Sequence, residues 1–403
     1  MTILIINSVY KTGSTGRIVY DTAECLKSKN YICYVAYGRG KTIKDSNIFK
    51  IGRLYNQYLE VLATRIFDRQ GLFSKIPTKK LINFIKSTKP DLIHIHNLHG
   101  YYLNYEILVD YLTTNNIPIV WTLHDCWPIT GHCAYFDYAN CSKWKLECNK
   151  CPQKKSYPKS LIFDNSKGNF HKKKELFSKI DNLTLVTPSN WLRNIISLSF
   201  MQNKNVITIN NGINLELFKP TEPNEIKRLN IPKKSKIILG VANIWDNRKG
   251  LKYFLDLSKM IDNDYIIVLV GLSDKQLKIL PNNILGIKRT SSVAELAELY
   301  TLANVFVNPT LEDNFPTTNL EAMACGTPVI TFDTGGSPEC IKKNTGFVVK
   351  KGDTTDLLRK IITVCDNGKS IYKDTCIAHV RENFDKNIKI EEYINTYNSI
   401  LGG

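Results

Sequence analysis

The sequence predicts an α/β protein made of two doubly wound domains that face each other across a cleft. Its 403 residues exceed the usual size of a single hydrophobic core, so two domains are expected. Short segments rich in Ile, Val and Leu, typical of buried parallel strands, alternate with helical patterns, and this alternation occurs twice. With 43% hydrophobic and 23% charged residues, the composition excludes disordered, collagen-like and small disulfide-stapled classes.

The elements fall into two series along the chain. The first series has predicted strands at Ile3–Ile6, Leu92–Ile95, Ile119–Thr122, Leu183–Val186 and Val206–Ile209, with helices at Ile18–Lys27 and Tyr105–Leu112. The second has strands at Ile237–Val241, Ile266–Val270, Val305–Val307 and Val329–Thr331, with helices at Tyr253–Met260 and Val293–Leu302. We therefore predict domains at 1–215 and 216–385, and a C-terminal helix in 386–403 that could pack on either domain, with a return to the first domain as one of the two arrangements.

The join between the domains is predicted near 212–236. Asn211-Gly212 is a turn signal, and Pro220, Pro223 and Pro232 follow it in a polar stretch. The chain shows neither a signal peptide nor a run of about 18 apolar residues that could span a membrane. We therefore expect a cytoplasmic protein, soluble or peripheral at the inner face of the cell membrane.

The charge is strongly basic and unevenly distributed. The formal net charge is +17, of which residues 1–219 carry +15 and residues 220–403 carry +2. This excess indicates an anionic partner, although a basic surface that only aids solubility stays open. The aromatic–basic interleaving and recognition-helix motifs of nucleic-acid binders are missing from the sequence, so we expect no nucleic acid partner.

A glycine-bearing loop follows the first predicted strand and opens a helix. It contains Gly13 and Gly16, which permit a close backbone approach, and free N–H groups at a helix start attract anions. The spacing matches neither a dinucleotide fingerprint nor a phosphate-binding P-loop. An ordinary tight turn and a substrate-binding loop are both compatible with this segment.

Histidines cluster at the ends of two predicted strands. His124 and Asp125 follow the strand 119–122, at the edge where ligands of open α/β sheets bind. A His–Asp neighbour pair suits proton transfer or hydrogen bonding, so we predict that Asp125 orients the His124 imidazole.

Two further histidines lie on the preceding strand. We expect His94 and His96 to face opposite sides of the sheet, so that one of them is only a core residue. His96 or His99 is then the second histidine of the site.

Four cysteines form a cluster within the insertion 126–152. Cys133, Cys141, Cys148 and Cys151 include one Cys-x2-Cys knuckle, the spacing of a tetrahedral structural zinc site. Zinc would offset the ordering entropy of a polar segment, whereas four ordinary thiols in a loop are the alternative. Four thiolates leave no open position on the metal, so a catalytic role is excluded.

Cations and acids follow two strands of the second series. Arg248 and Lys249 come after one strand, and a loop after another strand precedes a helix that begins near Thr317. The N–H groups of that helix and the two cations are suited to holding a diphosphate. Glu321, about one turn into the helix, could accept hydrogen bonds from ribose, although Pro-Thr-Thr also suits an ordinary helix start.

At these residues the chain resembles the family 4 glycosyltransferases, which are retaining enzymes of the two-Rossmann-domain GT-B type. The match runs from Asp313 through Phe315 and Pro316 to Glu321-Ala-Met-Ala, Gly326 and Pro328-Val. Further matches are Asn211-Gly212-Ile-Asn214, the segment 299–307 and Thr334-Gly335-Gly336-Ser-Pro338-Glu339. The cysteine segment resembles a subgroup associated with colanic-acid and capsule-type polysaccharides.

The resemblance implies sugar transfer from a nucleotide diphosphate, UDP or GDP, to a glycan or polyprenyl-diphosphate-linked acceptor, with no catalytic metal. It implies catalytic roles for His124, Lys249 and Asp313. It implies substrate contacts for a larger set: Gly13, Gly16, His96, Asp125, Asn243, Arg248, Thr317, Thr318, Asn319, Glu321, Gly335 and Gly336. Domain closure would exclude water, and the basic first half would bind the anionic membrane that carries the acceptor.

Three positions depart from the family pattern. Asp313 replaces a Glu, Asn243 replaces an Arg that precedes the phosphate-binding Lys, and Asn214 replaces an Asp. These departures leave open an inactive, degenerate transferase. A sugar-nucleotide epimerase or hydrolase of the same architecture also stays open, as does a non-catalytic polyanion-binding protein.

Overall fold

The structure, a computed structural model, describes residues 1–222, 224 and 235–402. Two of the three prolines of the predicted join, Pro223 and Pro232, lie outside the described residues. The chain divides into two compact units, which are residues 1–210 together with the C-terminal residues from Ile390, and residues 211–389. Among the described residues, no helix is long and apolar enough to cross a bilayer.

The first unit is built on a parallel sheet in the order β3-β2-β1-β4-β5-β6-β7. Its strands are β1 (Thr2–Val9), β2 (Ile32–Arg39), β3 (Ile48–Lys50), β4 (Leu92–Ile95), β5 (Ile119–Thr122), β6 (Leu183–Thr187) and β7 (Asn205–Thr208). Its helices are α1 (Gly13–Ser28), α2 (Leu54–Phe67), α3 (Lys75–Thr88), α4 (Tyr105–Thr114), α5 (Ser166–Ser178) and α6 (Asn190–Ile196). The strand order reverses between β1 and β4, which creates a crevice beyond their carboxyl ends.

The second unit contains a parallel sheet in the order β10-β9-β8-β11-β12-β13. Its strands are β8 (Lys236–Val241), β9 (Tyr265–Val270), β10 (Ile284–Ile287), β11 (Val305–Asn308), β12 (Val329–Phe332) and β13 (Gly346–Val349). Its helices are α7 (Leu251–Leu257), α8 (Asp274–Leu277), α9 (Val293–Leu302), α10 (Thr317–Ala324), α11 (Thr354–Asn367) and α12 (Ser370–Asn383). Here the order reverses between β8 and β11.

The predicted fold class is confirmed, and each predicted strand coincides with an observed one to within three residues at either end. Central strands such as β4 and β5 are buried at every position, as continuous apolar runs require. The last helix, α13 (Lys386–Gly402), contributes Ile390, Tyr393 and Tyr397 to the core of the first unit. There the Tyr397 hydroxyl is hydrogen-bonded to His94 Nδ1 at 2.7 Å.

The cysteine-bearing insertion is part of the first unit's core. Its backbone is largely irregular, with short 3-10 turns at Trp127–Ile129, Asp137–Ala139 and Lys143–Lys145. Trp127, Phe136 and Trp144 are buried in the same hydrophobic cluster as strands β4 and β5. The insertion is therefore ordered by apolar burial, which the cysteine spacing alone did not predict.

Candidate active site

The loops that follow β8 and β11 meet beside the reversal point of the second sheet. The amide of Leu311 donates to the carbonyl of Arg248 at 2.7 Å, which ties the loop after β11 to the loop after β8. Gly250 has φ +78°, and a Cβ at this position would lie 2.1 Å from the carbonyl oxygen of Pro309. Glycine is required here because only it permits this conformation and this close approach.

A cluster of two cations and one carboxylate occupies this crevice. Lys249 Nζ donates to Asp313 Oδ2 at 2.5 Å, and an Arg248 guanidinium nitrogen lies 3.7 Å from the same oxygen. Arg248 also donates to the carbonyl of Glu312 at 2.6 Å. Burial works to raise the pKa of Asp313, but the charges of Lys249 and Arg248 outweigh it and hold that pKa below its usual value.

The loop after β12 completes the surroundings of Asp313. Gly336 N–H donates to the carbonyl of Asp313 at 3.0 Å. Gly335 adopts φ +57°, and a Cβ at this residue would lie 1.9 Å from the same carbonyl oxygen. Both glycines of the predicted donor loop therefore contact the acidic loop, whereas Asn243 is exposed in the loop after β8.

Helix α10 begins directly after the acidic loop. Within the described residues no side chain caps its start at Pro316, and Thr317 and Thr318 in its first turn are partly exposed. Uncapped N–H groups at a helix start favour an anion such as a phosphate. Asn319 is buried and accepts a hydrogen bond from Asn308 at 2.8 Å, so its side chain fixes the helix on β11.

Glu321 is buried one turn into α10. Its Oε2 accepts a hydrogen bond from the Tyr300 hydroxyl at 3.0 Å. Sequence reasoning missed Tyr300, because it lies on α9 and nothing in its local pattern points to a carboxylate on another helix. The tyrosine fixes the orientation of the carboxylate.

In the first unit the histidines form two separate pairs. His96 Nδ1 and His124 Nε2 lie 2.8 Å apart, and His99 Nε2 lies 2.8 Å from Asp125 Oδ2. The predicted pairing of His124 with Asp125 is therefore wrong. His124 and Asp125 lie in a bend after β5, and each side chain reaches a partner that follows β4 instead.

The expectation that His94 and His96 face opposite sides of the sheet is also wrong. Their ring centroids are 4.2 Å apart, because residues two positions apart on a strand project to the same face. His94 is bonded to Thr122 Oγ1 at 2.8 Å and to Tyr397, so it is a core residue. His96 is also buried, whereas His124 is partly exposed.

Burial keeps His94, His96 and His124 neutral. Burial lowers the pKa of His124 to about 4 and that of His94 to about 3, and it lowers the pKa of His96 as well. For Asp125, burial favours a higher pKa, but His99 and the amide of Trp127 outweigh it and lower the pKa. His124 therefore presents a neutral imidazole and Asp125 a carboxylate.

The buried histidines predict a loss of stability in weak acid. Their folded-state pKa values are depressed, so the unfolded chain binds more protons below about pH 6.5. Stability is thus fully present above that pH and falls as pH drops toward 4, the pKa of His124. Each histidine contributes a slope of about 1.4 kcal/mol per pH unit.

Melting temperatures of the wild type between pH 7 and pH 5 test this prediction. We expect His94→Gln to reduce the decrease. Equal pH dependence in the wild type and His94→Gln would contradict the assignment.

The glycine loop lies at the carboxyl end of β1. Gly13 has φ +67° and begins α1, and the amide of Lys11 donates to the carbonyl of Gly16 at 3.0 Å. A Cβ at Gly16 would lie 3.2 Å from Val9, so this turn is tight. It opens beside the reversal point of the first sheet, between β1 and β4.

The predicted zinc site is not supported. Cys133, Cys141, Cys148 and Cys151 line one small cavity, yet no group of three or more His, Cys, Asp or Glu residues in the described part of the chain is arranged to hold a metal ion. Their spacing matched a ligand set, but the surrounding aromatic core already orders the segment.

A buried lysine also organises the insertion. Lys173 Nζ donates to the carbonyls of Trp127 at 2.7 Å and Thr130 at 2.9 Å, and it lies 3.4 Å from the Trp127 ring centroid. Burial lowers the pKa of Lys173 to about 7. This amino group hydrogen-bonds to two carbonyls of the first turn after β5. It therefore helps to order the cysteine-bearing insertion, for which the cysteine spacing had predicted a zinc ion.

Two family models match the chain and together cover most of it. The model described as Glycosyltransferase Family 4 matches residues 15–217, and the model described as Glycosyl transferases group 1 matches residues 235–367. The fold and site thus define a glycosyltransferase with two Rossmann-like domains. The chain belongs to glycosyltransferase family 4.

Similar proteins of known name are also transferases. The chain is 24% identical over 99% of its length to the whole of the putative colanic acid biosynthesis glycosyl transferase WcaC of Escherichia coli K12. Over 51% of its length it is 28% identical to 57% of a Campylobacter jejuni N,N'-diacetylbacillosaminyl-diphospho-undecaprenol alpha-1,3-N-acetylgalactosaminyltransferase.

Solved structures share the fold along the whole chain. Sucrose-phosphate synthase of Thermosynechococcus elongatus has a TM-score of 0.76 at 18% identity, covering 100% of this chain and 99% of that one. Anabaena HepE in complex with UDP-glucose has a TM-score of 0.67 at 15% identity, covering 99% and 100%. At such identities the likeness establishes the GT-B-type fold alone.

Proposed function

We propose that this glycosyltransferase moves a hexosyl group, with retention of configuration, from a nucleotide diphosphate to a lipid-linked glycan acceptor during surface-polysaccharide synthesis. The names of the colanic-acid and undecaprenol-linked relatives support the acceptor class. The HepE complex with UDP-glucose supports a UDP-sugar donor. A GDP-sugar is the alternative donor, and the thermal-shift series below compares the two. The observation that carries the proposal is the Arg248–Lys249–Asp313 cluster beside α10.

Donor binding is assigned to the second unit. The diphosphate binds Lys249, Arg248 and the N–H groups of Thr317 and Thr318 at the start of α10, while the Asn319 N–H donates to the Pro316 carbonyl at 3.2 Å. As the bond between the sugar C1 and the diphosphate oxygen breaks, its electron pair moves onto the diphosphate. The cations stabilise that charge, which is the main catalytic contribution of the protein.

Asp313 and Glu321 act on the two ends of the donor. Asp313 positions Lys249 through their 2.5 Å hydrogen bond and lies near the sugar hydroxyls. Glu321, oriented by Tyr300, accepts hydrogen bonds from the ribose. The acceptor hydroxyl forms the new bond to C1, and its proton passes to the oxygen of the leaving diphosphate.

Acceptor binding is assigned to the first unit. Gly13 and Gly16 lie just after β1, where they border the acceptor. The neutral His124 follows β5, and its partner His96 follows β4. Asp125 is held by His99 nearby. The charge of +15 in residues 1–219 supports an anionic membrane surface at the inner face of the cell membrane as a partner.

A thermal-shift series with UDP, GDP and their hexose conjugates tests donor binding, since a ligand of the native state raises the melting temperature. We expect a shift with uridine nucleotides and donor consumption that depends on a diphospho-polyprenyl glycan acceptor. Unchanged melting with every nucleotide would overturn the proposal, and consumption without acceptor would indicate a hydrolase or epimerase. The anomeric coupling constant of the product tests retention.

A further inference from the structure

Helix α2 has its polarity inverted. Leu54, Tyr58 and Leu62 are 67%, 72% and 57% exposed, and the four-residue spacing places them on one face of the helix. The buried side chains of α2 are Glu60 and Thr64, which are polar. A helix that packs on a core normally shows the opposite arrangement.

Buried hydrogen bonds fix α2 in this orientation. Glu60 accepts from the amide of Gly71 at 2.8 Å and from the Ser74 hydroxyl at 2.7 Å. These bonds satisfy a carboxylate that would be costly to bury alone. The outward position of the apolar side chains therefore follows from a specific polar anchor on the inner side.

A second exposed apolar segment lies against the C-terminal end of α2. Leu161 N–H donates to the carbonyl of Arg65 at 2.7 Å, and Phe163 N–H donates to that of Ile66 at 3.1 Å. The Phe163 ring stacks on Phe67 with centroids 6.3 Å apart. Residues 161–163 are exposed, so with α2 they form one apolar surface, which we call the docking face.

The exposed charges that neighbour the docking face along the chain are mostly basic, and the acidic exception is Asp164, whose carboxylate accepts from the amides of Cys151 and Ser166. Between residues 51 and 82 the acidic residues are Glu60 and Asp68, and both are buried. The exposed charged side chains of the same stretch are Arg53, Arg65, Arg69, Lys75, Lys79 and Lys80. Two copies of this chain meeting through this face would bring these cations together, which disfavours a dimer.

We propose that the docking face inserts into the surface of an anionic lipid bilayer. The apolar side chains of α2 and residues 161–163 enter the acyl boundary, the tyrosines lie at headgroup level, and the flanking cations contact lipid phosphates. The choice of a membrane as the partner rests on the proposed function. The new step is that the docking face contains the residues that contact this membrane.

Sedimentation with two kinds of vesicle tests the proposal. We expect the wild-type chain to bind phosphatidylcholine vesicles that contain phosphatidylglycerol, and to bind pure phosphatidylcholine far more weakly. Leu59 lies three residues before Leu62 on α2 and is 60% exposed. The Leu59→Ser/Leu62→Ser variant should lose about tenfold or more in vesicle partitioning, because neither position then carries a leucine that enters the lipid. Lys79→Glu/Lys80→Glu should lose binding comparably, and only to the anionic vesicles.

Matched controls come from the second unit. Ile279→Ser replaces a side chain that is 68% exposed, and Lys275→Glu/Lys278→Glu reverses two charges on the same unit. Both should bind vesicles like the wild type, and circular dichroism should show all variants folded. Equal binding of wild type and Leu59→Ser/Leu62→Ser, or equal binding to both kinds of vesicle, would overturn the docking face.

Nucleotide binding, measured on the same samples without vesicles, separates this inference from the proposed function. Vesicle binding through the docking face without any nucleotide-induced thermal shift would remove the donor assignment and leave the inference standing. A normal thermal shift with no vesicle binding would remove the docking face alone.

Discussion

Replacing Lys249 by alanine is expected to lower kcat/KM for the donor by about 10²–10³-fold. Lys249 provides an ammonium group in the crevice after β8. One of its N–H groups donates to Asp313, and the other two remain available to a diphosphate. The charge on the leaving diphosphate grows as its bond to the sugar breaks, so the loss should affect kcat more than KM.

Steady-state kinetics with varied donor measure this effect. Lys249→Arg keeps the charge and should retain part of the rate, although its planar group fits the position of an ammonium poorly. Lys252→Ala removes an exposed cation one turn further along the chain and should leave kcat/KM unchanged. A wild-type rate in Lys249→Ala would exclude this crevice as the donor site.

Asp313→Asn distinguishes positioning from charge at the same cluster. It keeps the shape of the side chain but removes the carboxylate that holds Lys249 and lies 3.7 Å from Arg248. We expect a smaller loss of rate than in Lys249→Ala, because the cation persists without its fixed position. Asp313 would then be a working replacement for the longer Glu of the family pattern.

The sequence predicted the central strands of both sheets because those strands are buried on both faces. Their runs of Ile, Val and Leu have few other interpretations. It missed β3, β10 and β13, which are edge strands with partly exposed residues and weaker patterns. It also missed β2, whose Cys, Ala, Tyr and Gly residues interrupt the aliphatic run.

The proximity of Lys249 and Asp313 was predictable for a similar reason. Lys249 and Asp313 each follow a strand end, and the carboxyl ends of parallel strands meet at one edge of a sheet. Pairings that depend on side-chain direction were not predictable from adjacency. Asp125 pairs with His99, not with its neighbour His124, because the backbone turns their side chains apart.

The cysteine spacing shows another limit of the sequence. A spacing typical of metal ligands identifies cysteines whose side chains could come together in the fold, and the four thiols do line one cavity. The sequence does not show what else orders the segment. In the structure, buried Trp127 and Trp144 and the amino group of Lys173 provide that order.

Replacing Glu321 by glutamine is expected to lower kcat/KM for the donor about 100-fold, mainly through a higher KM. Hydrogen bonds to a charged group contribute about 1.5–3 kcal/mol each, and the ribose offers two hydroxyls. The amide of glutamine presents N–H donors where the ribose hydroxyls need an acceptor. Because the contact is remote from the breaking bond, ground state and transition state lose it alike.

Inhibition by a nucleoside diphosphate and by its 2′,3′-dideoxy analogue isolates the ribose contact. The wild type should prefer the natural nucleotide, and Glu321→Gln should lose most of that preference. Glu298 is another buried carboxylate of the second unit, and it accepts a hydrogen bond from the amide of Asn224 at 2.9 Å. Glu298→Gln should keep the preference for the natural nucleotide.

Tyr300→Phe then tests whether the tyrosine acts through Glu321. Its hydroxyl holds Oε2 at 3.0 Å, so its removal should weaken the ribose preference several-fold in the wild type and hardly at all in Glu321→Gln. Additive effects of the two substitutions would mean that Tyr300 acts independently. If Glu321→Gln still preferred the natural nucleotide over its dideoxy analogue as strongly as the wild type does, the ribose would have to bind elsewhere. The ribose contact is the role assigned to Glu321 that depends on the two hydroxyls.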